Sequence, residues 1–228
     1  MKIIRVIISV LLLPLLAVLI YKFINLFVVF AGQTNMKIAP FWIGVITYFL
    51  FQIIFFKPMS SYVFGHELTH AIAGLLSGAE IKSFKVSQSK GSVSLTKDNI
   101  FITLSPYFIP LYAVILIIIY FSLAWFVNIK LFYPYFLFLS GMALAFHYAL
   151  TFYAIKTGQE DIKVYGSFFS LVFICFVNII IVIFVLVLIF PDSINIKKFY
   201  VDVFENAVHL YKYIFAGVYQ WLCSLKMK

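Results

Sequence analysis

The sequence predicts an all-α integral membrane helical bundle of about six apolar helices, with one small β-hairpin after the third. Three observations carry this prediction. The 228 residues are 64% hydrophobic and only 11% charged, with a mean hydropathy of +1.09. A water-soluble chain carries about 25% charged residues, so this one cannot cover its surface with polar groups, whereas lipid tolerates an apolar exterior. The apolar residues fall into long runs separated by short polar connectors. One stretch, residues 80–98, breaks that pattern and alternates apolar with polar residues. The whole chain, 1–228, reads as a single membrane-embedded domain.

The elements follow in order. Residues 3–30 form a first run, long enough to span with tilt or with a break near Tyr21-Lys22, and Pro14 is a site for a kink. The apolar character resumes after Lys22 and no small-residue cleavage site closes the run, which predicts a retained span rather than a cleaved signal. Residues 31–40 hold Gly, Gln, Asn and Pro and read as a loop. A second run covers 41–56 and stops at Lys57-Pro58. A third, shorter helix is expected from Ser60 or Ser61 to Leu76, with one of those serines as N-cap and Gly78 after its end.

Residues 80–98 then place Ile81, Phe84, Val86, Val93 and Leu95 among polar neighbours, with Ser89-Lys90-Gly91 as the turn of a hairpin. Such a hairpin cannot expose its edges to lipid and must lie at the surface or be shielded. Residues 100–127 hold Pro106 and Pro110, which predicts a broken or kinked start. Runs at 131–155 and 165–190 flank a polar connector at 156–163. Residues 197–225 mix charged residues with Phe, Tyr and Trp and read as an amphipathic helix at the membrane interface.

The net charge of +9 is spread through short loops and tails, which fits contact with lipid headgroups and excludes a nucleic-acid-binding module. Its distribution does not orient the chain. Placing the hairpin lysines, Lys156 and Lys163 in the cytoplasm conflicts with Lys2 and Arg5 unless an early run is re-entrant or paired. The two cysteines, Cys175 and Cys223, make neither a disulfide framework nor a metal cluster.

One motif carries chemistry. His66-Glu67-Leu68-Thr69-His70 places two imidazoles at i and i+4, one turn apart on one helical face. Two imidazoles so placed bind one tetrahedral Zn²⁺. Glu67 is placed to reach a metal-bound water, take its proton and return it to a leaving amine. A chain of this composition contains HExxH by chance about once in a thousand, and ionisable groups on apolar helices need a partner.

A third ligand must come from elsewhere. HExxHxxGxxH fails at Ala73 and Leu76, and a glutamate about twenty residues on fails near Lys90. Asp98, His147, Glu160, Asp161 and Asp192 remain as candidates. A hydrogen bond to a neighbouring helix, or a contact to a metal ligand, accounts better than direct ligation for a mid-span His147.

These residues resemble the site-2 protease group, the M50 family of intramembrane zinc metallopeptidases. Residues 65–71, GHELTHA, are similar to its HExxH helix. The polar hairpin resembles its membrane-associated β-hairpin, and residues 103–108, TLSPYF, stand where the family has a segment of small residues and proline. Gly158-Gln159-Glu160-Asp161 resembles the distal acidic segment that completes the zinc site. Asp161 is followed by Ile162 rather than the family's usual glycine, so the likeness is to a divergent branch.

The resemblance implies a metallopeptidase-like domain in a bacterial-type plasma membrane. Its zinc would be held by His66, His70 and Asp161, with Glu67 as general base and acid. It also implies a membrane protein or peptide substrate, bound extended and paired with the hairpin through Ser92, Val93 and Ser94. The rival readings are a membrane zinc hydrolase acting on a small or lipid substrate, and a non-catalytic zinc-binding membrane scaffold. A metal transporter is disfavoured by the thin acidic inventory.

Overall fold

Helices dominate the architecture because nearly every apolar run is long enough to satisfy its own backbone hydrogen bonds, which lipid cannot do. The computed structural model describes residues 2–32, 38–55, 58–88, 90–191 and 194–226. Asp192, Ser89 of the expected turn, residues 33–37 of the first loop and the 56–57 end of the second run lie outside them.

The first helix, α1 (Lys2–Ala31), is continuous through Tyr21 and Lys22, and Pro14 is accommodated inside it. Its 30 residues extend about 45 Å at 1.5 Å each, longer than a hydrocarbon core of about 30 Å, so it is long enough to span with tilt or to project beyond the core. Helix α2 (Ala39–Phe55) packs against α6 (Tyr133–Thr157) through a reciprocal pair of glycines. Gly44 faces the Phe138 carbonyl and Gly141 faces the Phe41 carbonyl, so a Cβ at either position would overlap backbone. Small residues let membrane helices approach this closely.

Helix α3 (Met59–Leu76) starts one to two residues before the expected serines. Pro58 precedes it, and no side chain caps its first turn. Ser60 instead directs its Oγ at the Gln88 carbonyl, at 3.5 Å. The end is as expected: Gly78 adopts φ +71° and its N–H donates to the Leu75 carbonyl. The hairpin follows as β1 (Ile81–Val86) and β2 (Gly91–Leu95), antiparallel, with Phe84 opposite Val93. It lies along α3: Gly91 sits against Val63 and Glu67, Phe64 meets Phe84 edge-on, and Leu95 packs on Gly74.

The proline-rich segment breaks as predicted. Helix α4 (Ile100–Leu104), a 3-10 turn at Ser105–Tyr107 and α5 (Leu111–Leu123) are bent by 83°. Asn99 caps α4 by accepting from the Ile102 N–H. The polar connector contains a short helix, α7 (Glu160–Val164), ahead of α8 (Ser167–Ile189). Helices α1 and α8 run parallel: Arg5 donates to the Tyr165 carbonyl near one end, and Phe30 packs on Phe190 at the other.

Helix α9 (Ile196–Lys226) runs back along α1. Phe199 and Val203 pack with Val18 and Leu19, and farther on the Tyr211 hydroxyl donates to the Leu11 carbonyl. The expected helix at 197–225 is therefore present, laid lengthwise against α1.

Among the described residues three helical stretches are long and apolar enough to cross a membrane: Lys2–Ala31, Ile129–Thr157 and Ser167–Ile189. The bent α4–α5 pair makes a fourth if it counts as one span. These spans make the chain a multi-pass membrane protein by length and composition. All six expected apolar runs are helical, but not all are span-length. Helix α2, with 17 residues, and α3, with 18, fall short of the roughly 20 residues a crossing needs.

Candidate metal centre

Helix α3 brings His66, Glu67 and His70 to one place because its sequence keeps the 3.6-residue period through the motif. Glu67 and His70 are buried, as is Thr69, whose hydroxyl returns to the Gly65 carbonyl at 2.7 Å. The partner for the two histidines comes from 95 residues away: Asp161, in the first turn of α7.

His66 Nε2 lies 3.2 Å from Asp161 Oδ2, His70 Nε2 lies 3.5 Å from the same oxygen, and the two Nε2 atoms are 3.3 Å apart. Two donors on a tetrahedral zinc, each about 2.0–2.1 Å from the metal, stand about 3.3 Å apart. The three atoms thus trace one face of a zinc tetrahedron. His66, His70 and Asp161 form a group that fits a metal ion.

The surroundings support ligation. His70 Nδ1 is 2.8 Å from the Ile102 carbonyl, which can only accept, so Nδ1 carries the proton and Nε2 keeps its lone pair for the group. His66 Nδ1 faces the Tyr62 hydroxyl at 3.4 Å. The Tyr107 hydroxyl donates to Asp161 Oδ2 at 3.0 Å. Burial alone would raise the Asp161 pKa, but the two histidines facing Oδ2 outweigh it and hold the carboxyl well below the usual carboxylate range. The third donor is therefore ionised.

Glu67 stands beside the group and outside it. It lines the same cavity, of about 600 Å³, as the three donors. The Val93 backbone N–H faces its carboxylate, and the missing side chain of Gly91 leaves it room. Gly91, Ser92 and Val93 line this cavity on the β2 side, whereas Ser94, paired with Ser83, does not. No residue of β1 lines it, so the unpaired edge of β2 borders the site.

The other described candidates lie outside the donor group. Glu160 borders the same cavity, but its exposed carboxylate pairs with Lys163 Nζ at 2.8 Å. Asp98 lines the cavity but accepts from the Thr103 hydroxyl at 2.7 Å. His147 is buried on α6, outside the group, where its polar neighbour is Asn178 and its Nε2 has no hydrogen-bond partner. Together with Tyr62, His66 and Thr69 it lines a separate cavity of about 30 Å³.

Sequence reasoning did not identify Tyr107, Tyr62 or the Ile102 carbonyl as parts of the site. The one available signal was Pro106-Tyr107 in a proline-broken helix start, since breaks in membrane helices are tolerated where backbone lines a cavity. Comparison with protein-family models, with curated proteins and with solved structures finds no match.

Proposed function

We propose that this chain is an intramembrane zinc metalloprotease of the site-2 protease type, set in a bacterial-type plasma membrane and hydrolysing peptide bonds of membrane-associated substrates. The observation that carries the reading is the tetrahedral face made by His66, His70 and Asp161 with Glu67 beside it. A zinc ion held by these three would lower the pKa of a bound water toward ~7 and polarise a substrate carbonyl. Glu67 takes the proton of the attacking water and delivers it to the leaving amine. The Val93 N–H orients the Glu67 carboxylate for that transfer. Ile102 and Tyr107 orient His70 and Asp161.

The free edge of β2 favours a peptide substrate over a small molecule. A helix hides its scissile carbonyls in its own hydrogen bonds, whereas an extended segment adds to an open strand edge through main-chain bonds. Ser92 and Val93 border the cavity at that edge.

The deciding experiment measures zinc content in the wild type and in Glu67→Ala, together with cleavage of a library of membrane peptides. Both proteins should hold one zinc, and only the wild type should cleave. Zinc without Glu67-dependent cleavage would overturn the protease reading in favour of a zinc-binding scaffold. Glu67-dependent hydrolysis confined to lipid or small esters would move the reading to the other hydrolase class.

A further inference from the structure

The turn that breaks the α4–α5 span does more than interrupt it. It carries the supports of two of the three donors. The Ile102 carbonyl fixes the tautomer of His70 and also accepts from the Ser105 hydroxyl at 3.0 Å. Five residues on, Tyr107 is 1% exposed, with its ring edge against His66 at 5.3 Å between centroids. Its hydroxyl meets Oδ2, the Asp161 oxygen that faces both histidines.

Tyr107 is itself held from behind. Its carbonyl accepts from Asn178 Nδ2 on α8 at 2.8 Å, and the same amide donates to the Ile174 carbonyl at 3.0 Å. The carbonyl needs that donor because Pro110, three residues on, has no N–H to offer it and the Leu111 N–H goes to the Ile109 carbonyl. Asn178 is the polar neighbour of His147. A line of side chains thus runs from α6 through α8 and the broken span to the carboxylate on α7.

We propose that Tyr107 is the positioning residue of this site: its hydroxyl selects and aims the Asp161 oxygen that completes the donor set, and Asn178 holds Tyr107 in place. The inference rests on the zinc reading above and assigns a role that the HExxH motif does not contain. Asp161 sits on a five-residue helix, and a segment so short does not hold a side chain to the tolerance a tetrahedral site needs. A buried phenol anchored to a long helix supplies what the short helix lacks. Hydrogen-bond partners of metal ligands act in this way, and their loss lowers metal affinity about 10- to 100-fold.

The test compares wild type, Tyr107→Phe, Asn178→Leu and Tyr112→Phe in detergent. Zinc affinity is read by competition with a chromophoric chelator, and donor geometry by the visible spectrum of the cobalt-substituted protein. Tyr107→Phe keeps the ring and should weaken zinc about 10- to 100-fold and shift the cobalt bands. Asn178→Leu should move both in the same direction by less. Tyr112→Phe removes a phenol that bonds the Ser61 carbonyl instead, and should leave both unchanged. A Tyr107→Phe protein with wild-type affinity and an unshifted cobalt spectrum would overturn the proposal. A wild type that binds neither metal overturns the zinc reading itself, and the positioning role with it.

Discussion

Gly91 and Glu67 show how closely one residue constrains another here. A Cβ on Gly91 would stand 2.8 Å from Glu67 Oε1 and 2.8 Å from Val63 Cγ1. Neither distance is tolerable, so one neighbour must move. Gly91→Ala should therefore lower cleavage at least tenfold while zinc content stays at the wild-type level. Loss of zinc in that variant would mean that the hairpin supports the donors rather than the base.

The two adjacent acids of α7 make a second test at this scale. Asp161 meets the histidines and Glu160 meets Lys163. Asp161→Ala should abolish stoichiometric zinc binding, and Glu160→Ala should retain it. The reverse pattern would reassign the third ligand. Glu160 and Lys163 are both exposed, so their pairing adds little to stability.

At the scale of elements, the helix ends and the close helix contacts decide the geometry. Asn99 caps α4 and so places the Ile102 carbonyl on which His70 depends. Asn99→Ala should cost about 1 kcal/mol of stability and weaken zinc as well, a combination that thermal unfolding and chelator competition can separate. The reciprocal glycines of α2 and α6 are a different case. Gly141→Leu would drive a side chain into the Phe41 carbonyl and separate the two helices. A clear drop in the detergent melting temperature is expected, and an unchanged midpoint would show that the contact is not tight in the bilayer.

At the scale of the whole molecule, the parallel course of α1 and α8 resolves the charge conflict. Arg5 stacks on the Tyr165 ring and donates to its carbonyl, so the N-terminal end of α1 lies beside the 156–163 connector. The connector carries Asp161, and Lys90 and Lys97 line the cavity around it. Lys2, Arg5, the hairpin lysines, Lys156 and Lys163 thus gather at the face of the donor group. Lys130, Lys197 and Lys198 stand toward the other end, where the Tyr133 hydroxyl meets the Ile189 carbonyl and α9 begins, fewer than at the donor face. An excess of Lys and Arg marks the cytoplasmic side.

The expected outcome is a site open to the cytoplasm. In a background with Cys175 and Cys223 replaced by serine, a cysteine at position 90 should be protected from an impermeant thiol reagent in intact cells, and one at position 130 should react. Labelling in the opposite sense would invert the orientation. Helix α3 is short and lies along the hairpin, with Ser60 at the hairpin tip and Gly74 under Leu95.

The sequence by itself determined the solvent, the apolar runs, the hairpin and the HExxH motif on α3. Each of these is local: composition, periodicity of 2 or 3.6, proline breaks, and two histidines one turn apart are all properties of neighbouring residues. It also narrowed the third donor to a handful of acids and His147. Only the tertiary structure decided among the described candidates, because Asp161 and Glu160 are adjacent in sequence and differ in which way a five-residue helix turns them. The roles of Tyr107 and Asn178, and the shared face of Arg5 with the donor group, depend on packing between elements 54 to 160 residues apart. No local pattern encodes such distances. They are set by how α1 packs on α8 and how α6 packs on α2 and α5, and by the 83° bend that carries the Tyr107 turn to the site.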